Sequence, residues 1–377
     1  EMARVQAKNG AQIIDICLSN PDRNELADLK KFMHYGVKVI RAPIMIDSTD
    51  ENVIAEALTW CQGKAIINSV NLEDGEDRFE KVIPLARRFG AALVVGTIDE
   101  DPQQGMAITR QRKIEIAERS FDLLTKKYGM HPTDLYFDAL VFPCASGDVN
   151  YLGSAVETIE GIRLIKEKFP MCKTVLGISN VSFGLPMAAR EVLNSVFLYH
   201  CVNAGLHLAI VNSEKLVRYN SLTPEELEKA TNLLFNVGED PIGKFAALFR
   251  DKKARAKVDV STLPLDERLS KYIVDGTKEG LIADLDLARQ NRLPLDIING
   301  PLMKGMDEVG KLFNANKLIV AEVLQSAEVM KTAVSHLEKF MEKLESSTRG
   351  KILLATVKGD VHDIGKNLVD IILSNNG

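Results

Sequence analysis

Along residues 1–215, short runs of apolar and β-branched residues alternate with longer stretches whose apolar positions recur at helical spacing. The runs cover residues 11–17, 37–46, 64–70, 91–97, 135–142, 173–179 and 206–211, and each is expected to be a strand. The helical stretches cover 52–60, 77–89, 111–128, 153–169 and 186–204. Strand–helix alternation implies a parallel sheet covered by helices, either a closed barrel or a doubly wound open sheet. The chain enters in mid-helix, so seven strands imply an eighth before residue 1. That count suits a (β/α)8 TIM-type barrel with its first strand missing.

Polar punctuation favours the barrel. Asp47, Asn68, Asp99, Asn180 and Asn212 close or follow five of the runs, while Asp15 and Asp138 lie inside two others. Residues at the C-terminal ends of barrel strands face one mouth, so these side chains should converge. The competing reading is that Asp and Asn merely cap helices and make turns, as Asp99 and Asn212 could. Asp47 needs it less, because Ser48 and Glu51 form a ready capping box for the next helix. A rim of Asp and Asn without basic residues disfavours a phosphate ligand and suits a neutral heterocycle rich in N–H donors.

The pattern changes after residue 216. Thr223-Pro224-Glu225-Glu226 is a strong helix start. Residues 250–257 are a charged stretch, read as linker; no aromatic residue interleaves with its cations, which argues against RNA. Residues 263–345 show no β alternation, and helical patterns at 265–279, 281–290, 295–313 and 321–344 imply a four-helix bundle. Met303, Met306 and Met330 read as its filler. From 351 the chain is β-prone, then breaks into Gly359-Asp360-Val361-His362-Asp363-Ile364-Gly365. A loop offering one imidazole with a carboxylate two residues earlier can ligate a metal, the carboxylate orienting the ring.

Composition narrows the class. With 377 residues, 46% hydrophobic and 26% charged, the chain is long enough for two or three globular domains. A net charge of −5 gives no reason to invoke nucleic acid or an anionic membrane. The five cysteines form no C-x-x-C pair, and neither a signal peptide nor a spanning segment is evident. A soluble, cytoplasmic protein is expected.

Asp360-x-His362-x-x-Gly365 after a strand resembles base-off cobalamin-binding proteins. The resemblance implies His362 as the lower ligand of cobalt, with Asp360 as its hydrogen-bond partner. The runs 9–16, 43–48, 67–70, 137–140 and 178–184 are similar to the pterin-binding barrels of methyltetrahydrofolate-dependent methyltransferases. This second resemblance implies that Asp47, Asn68 and Asp138 accept hydrogen bonds from the pterin, with Asn180 near the methyl-bearing nitrogen. Two positions depart from that family: Cys17 stands where Asn is usual, and Ala139 follows Asp138 where proline is common. Cys17 accepts hydrogen bonds poorly and is left out of the site. Together the motifs resemble the family of cobalamin-dependent methionine synthases.

That family implies a barrel over 1–250, a linker over 251–262, a four-helix cap over 263–346 and the start of a Rossmann-like cobalamin domain over 347–377. Phe313 and Val320 would shield the upper corrin face, although Phe313 could instead complete the bundle core. The implied chemistry moves methyl from 5-methyltetrahydrofolate to cobalamin, giving methylcobalamin, and in the full protein on to homocysteine. Asn180, Asp360 and His362 would be catalytic. Zinc would belong to a module outside this chain, and the partners would be small molecules and other domains of the same protein. Two alternatives stay open: a fused folate and corrinoid methyltransferase of another one-carbon pathway, and a cobalamin-binding sensor.

Overall fold

The computed structural model describes residues 2–8, 10–212, 216–249, 263–341, 352–355 and 366. The chain divides into two compact units, one within residues 1–256 and one within 257–377.

In the first unit, α1 (Met2–Lys8) leads to β1 (Ile14–Cys17), α2 (Glu25–Gly36), β2 (Ile44–Asp47), α3 (Glu51–Trp60), β3 (Ile66–Leu72) and α4 (Asp77–Phe89). The alternation continues with β4 (Ala92–Asp99), α5 (Arg110–Asp122), β5 (Leu135–Asp138), α6 (Ser154–Lys168), β6 (Lys173–Gly177), α7 (Met187–Ala204) and β7 (Leu208–Ile210). The helices α8 (Pro224–Leu234) and α9 (Pro241–Ala247) follow. All seven strands pair in parallel with their sequence neighbours, and the sheet curls into a nearly closed barrel. Among the described residues no pairing joins β7 to β1.

Met45, Ile66, Ala92, Val94 and Val175 form the apolar plug of the sheet, flanked by Ile13, Tyr136, Leu208 and Ile210. Each of these residues marks the inward face of its strand, and the pleat repeats that face every second residue.

Two expectations for this unit need correction. The run 37–46 is a strand only from Ile44; ahead of it lies α2, which the sequence reading omitted, capped by Asn24 accepting from the Ala27 amide. Helix α3 is not capped by a Ser48–Glu51 box. Asp50 is its cap, accepting from the Asn52 amide, while Ser48 Oγ accepts from the Asp50 amide at 3.1 Å. One more acidic residue lay within reach of the same amides and took the position. The helix start expected at Thr223 is present, and Thr223 and Glu226 cap it reciprocally.

The second unit is helical: α10 (Leu265–Asp275), α11 (Leu281–Ala288), α12 (Pro294–Ile297), α13 (Met303–Asn314) and α14 (Val320–Glu338). The helix expected over 295–313 is broken at Gly300, whose φ/ψ of −91°/−105° is not helical, with Pro301 removing a donor beside it. Leu269, Ile273, Leu285, Ile298, Leu302, Val309 and Met330 are among its core, and Met303 and Met306 pack partly buried against it. Helix α13 approaches α10 so closely that a Cβ on Gly305 would stand 2.7 Å from the Ser270 carbonyl oxygen. Asp284 accepts from Arg268 at 2.7 and 2.6 Å and from the Tyr272 hydroxyl at 2.8 Å, tying α11 to α10. Residues 352–355 are not in a strand, contrary to expectation, because no partner strand lies beside them among the described residues.

Candidate functional site: the strand-end mouth of the barrel

One pleat beyond the apolar plug, the inward position on each strand or just after it is Asp15, Asp47, Asn68, Gly96, Asp138, Gly177 and Asn212. Register aligns Cys17 with Asp47, Asp47 with Asn68, and Gly96 with Asp138, while Asp15 stands opposite Met45, one pleat deeper on the same face. Two inward positions therefore carry no side chain, which leaves flat space between polar neighbours. A Cβ on Gly177 would stand 4.0 Å from Asn180 Nδ2, so the amide leans over the end of β6. Asn180 sits in the 3-10 turn Ile178–Ser182 and is exposed.

The electrostatics of this mouth are one-sided. Asp15 is pushed up to about 6, first by burial and then by the charge of Asp47, against a hydrogen bond from Asn68. Its Oδ1 is buried and has no partner among the described residues, and Glu25 Oε1 is in the same condition. Burial also raises Asp47, while a hydrogen bond from Cys17 pulls it down and the charge of Glu25 pushes it further up. Asp138 is pushed up to about 6 by burial, opposed by the Leu140 amide (2.8 Å to Oδ1) and by the charge of Lys113. The mouth thus gathers acceptors in excess of donors. Each buried acceptor left without a donor is costly, so this arrangement suits a ligand that brings several N–H groups.

Nearby cations serve backbone, not the mouth. Arg78 donates to the Ser48, Thr49 and Ser69 carbonyls at 2.9, 2.6 and 3.3 Å. Arg190 donates to Ser182 Oγ and the Ser179 carbonyl at 3.2 and 3.3 Å. Asp99, although it ends β4, is drawn away by Arg112 at 2.5 and 2.6 Å and serves structure. Asn212 follows β7 and is exposed.

The structure brings Asp47, Asn68, Asp138 and Asn180 to one end of the barrel. It adds Asp15, which sequence reasoning noted but did not assign. It also sets Cys17, excluded earlier, against Asp47 as a donor. The inward parity shared by residues 13, 15 and 17 was the signal that could have found both.

On the helical unit, Phe313 near the end of α13 is 41% exposed and Val320 at the start of α14 is 56% exposed. Phe313 therefore does not complete the bundle core. Leu324, one turn beyond Val320, is 51% exposed, so these residues leave apolar surface uncovered. Asp360, His362 and Gly365 lie outside the described residues. Among the described residues no group of three His, Cys, Asp or Glu side chains could hold a metal ion, and no helix is long and apolar enough to cross a membrane.

Residues 1–212 match the family described as pterin binding enzyme, and residues 265–338 match the B12 binding domain. The methionine synthase of Mycobacterium leprae is 44% identical over 393 aligned positions, and that of Mycobacterium tuberculosis is 44% identical over 389. Each alignment covers 100% of this chain and 32% of the relative, so the chain spans about a third of their length. Among solved structures, dihydropteroate synthase from Thermus thermophilus is 21% identical with a TM-score of 0.41, covering 57% of this chain and 83% of that one.

Proposed function

We propose that this chain, which belongs to the family of pterin binding enzymes, binds 5-methyltetrahydrofolate in the barrel mouth and delivers its methyl group to cobalamin. In the full-length protein the methyl group would continue to homocysteine, giving methionine. The observation that carries the reading is the surplus of buried acceptors, above all the unpartnered Asp15 Oδ1 beside Asp47 and Asn68.

In this reading Asp47, Asn68 and Asp138 accept hydrogen bonds from the pterin ring, and Asp15 supplies a further acceptor below them. Gly96 and Gly177 leave room for the flat ring. A tertiary amine is a poor leaving group until its nitrogen is protonated. The exposed amide of Asn180 would hydrogen-bond at that nitrogen and favour the charge that develops there. The uncovered Phe313, Val320 and Leu324 fit an apolar cofactor face, and the helical unit carries the B12 binding domain match. His362, with Asp360 and Gly365 in its motif, would hold the cobalt. Cobalamin, when bound, supplies a metal centre able to accept the methyl group. Cysteines that are all unpaired and the lack of a spanning helix among the described residues support a cytoplasmic location.

The test is methyl transfer to free, reduced cobalamin, followed by the absorbance of the cobalt chromophore. The expected result is transfer from 5-methyltetrahydrofolate that scales with protein concentration. No transfer above the protein-free rate, with no binding of 5-methyltetrahydrofolate, would overturn the reading.

A further inference from the structure

Strand β5 ends at Asp138, and the chain then turns through Ala139 and Leu140. Three consecutive carbonyls there each accept from a buried side chain of a different element. Thr97 Oγ1 on β4 donates to the Asp138 carbonyl at 3.1 Å. Lys113 Nζ on α5 donates to the Ala139 carbonyl at 2.5 Å, and Thr158 Oγ1 on α6 donates to the Leu140 carbonyl at 2.8 Å. All three donor residues are fully buried.

The turn they hold is not a relaxed one. Leu140 adopts φ +59°, a left-handed conformation that a leucine side chain disfavours. In that conformation its amide reaches back to Asp138 Oδ1 at 2.8 Å and orients the carboxylate. Lys113 is the least expected member. A buried ammonium is costly, and here burial lowers its pKa to about 7 while the charges of Asp138 and Glu157 oppose the shift. Its second acceptor is the Ala107 carbonyl at 2.7 Å, and the Phe142 ring lies 5.2 Å from Nζ. Helix α6 makes room for it with Gly161, where a Cβ would stand 2.6 Å from Lys113 Cδ. An apolar residue would fill that volume at less cost, unless the cation is there to hold the turn.

We propose that Thr97, Lys113 and Thr158 are positioning residues that clamp the 138–140 turn and thereby aim Asp138 at the pterin ring. The inference rests on the functional reading of Asp138 given above, and goes beyond it by adding residues that touch no ligand.

The experiment titrates 5-methyltetrahydrofolate into the whole chain and compares wild type, Lys113→Met, Thr158→Val and Asp138→Asn with the two double variants. The single clamp variants should bind roughly three- to tenfold more weakly, in keeping with one lost hydrogen bond. In the Asp138→Asn background the same changes should cost little further affinity, because the clamp acts through that carboxylate. A merely structural role would lower affinity equally in both backgrounds, and that result would overturn the proposal. Clamp variants that bind as tightly as wild type would overturn it too, while leaving the functional reading intact. Wild type that fails to bind at all would overturn both. Thr158→Val removes one hydroxyl at constant shape, so the comparison survives if Lys113→Met does not fold.

Discussion

Asp138→Ala separates binding from stability, lowering the first while leaving the second nearly unchanged. In the folded protein Asp138 Oδ1 is engaged by the Leu140 amide, and its other oxygen is left for a ligand donor. Removing the carboxylate strands one ring N–H without an acceptor, which costs roughly 1–3 kcal/mol. At about 1.4 kcal/mol per decade, affinity for 5-methyltetrahydrofolate should fall by about one to two decades. Stability behaves differently. Burial holds this carboxyl at about 6, above its ordinary 3.8, so its ionised form is a burden on the unliganded fold at neutral pH. Alanine relieves that burden and gives up the Leu140 contact, two effects of opposite sign. The thermal midpoint should therefore move by no more than a few degrees. Isothermal titration read beside a thermal melt checks both. Unchanged affinity would remove Asp138 from the site, and a lost midpoint accompanying lost affinity would make it a structural residue.

The other predictions concern catalysis, pH and the helical unit. Asn180→Ala should lower the rate of methyl transfer roughly tenfold or more while changing KM far less, since its amide acts on charge that develops in the transition state; equal losses in stopped-flow rate and in binding would mean that it only binds. Affinity for 5-methyltetrahydrofolate should rise between pH 5 and 7 and then level, because Asp15 and Asp138, both held at about 6, are acceptors at both oxygens only when ionised, while the protonated form turns one oxygen into a competing donor. The same groups subtract stability from the unliganded protein as pH rises through 6, and a binding curve that is flat or falls over this range would refute their role. Asp284→Ala leaves Arg268, only 17% exposed, without its carboxylate. That loss should cost about 3 kcal/mol in urea denaturation of the helical unit, and a loss under about 1 kcal/mol would show the pair to be solvent-screened.

Much of this protein is written in local pattern. The period of apolar residues marks the strands, and the helix start at Thr223 is legible because a cap and its partner lie three residues apart. Strand ends share one mouth in any parallel barrel, which marked Asp47, Asn68, Asp99, Asn180 and Asn212 with Asp15 and Asp138; singling out Asp47, Asn68 and Asp138 among them rested on the resemblance to pterin-binding barrels. The cobalamin-like motif around His362 is likewise a matter of spacing along the backbone.

Asp15 and Asp99 are where such reading stops. Both are aspartates in or at the end of apolar runs, and nothing adjacent in the chain distinguishes them. Arg112 reaches Asp99 from α5 and converts it into a structural ion pair, whereas Asp15 keeps an oxygen unpaired inside the barrel. Lys113 gives no hint of its clamp, since its acceptors lie on two other loops and its space depends on Gly161 in α6. Helix α2 is legible in its local Asn24 cap yet was not read, whereas the break of the helix at 295–313 lies in the backbone of Gly300, which depends on which neighbours arrive. Periodicity records which face of an element is apolar. Which polar group finds a partner depends on residues that meet only after the sheet has curled, and the energy of a buried charge is set by that meeting.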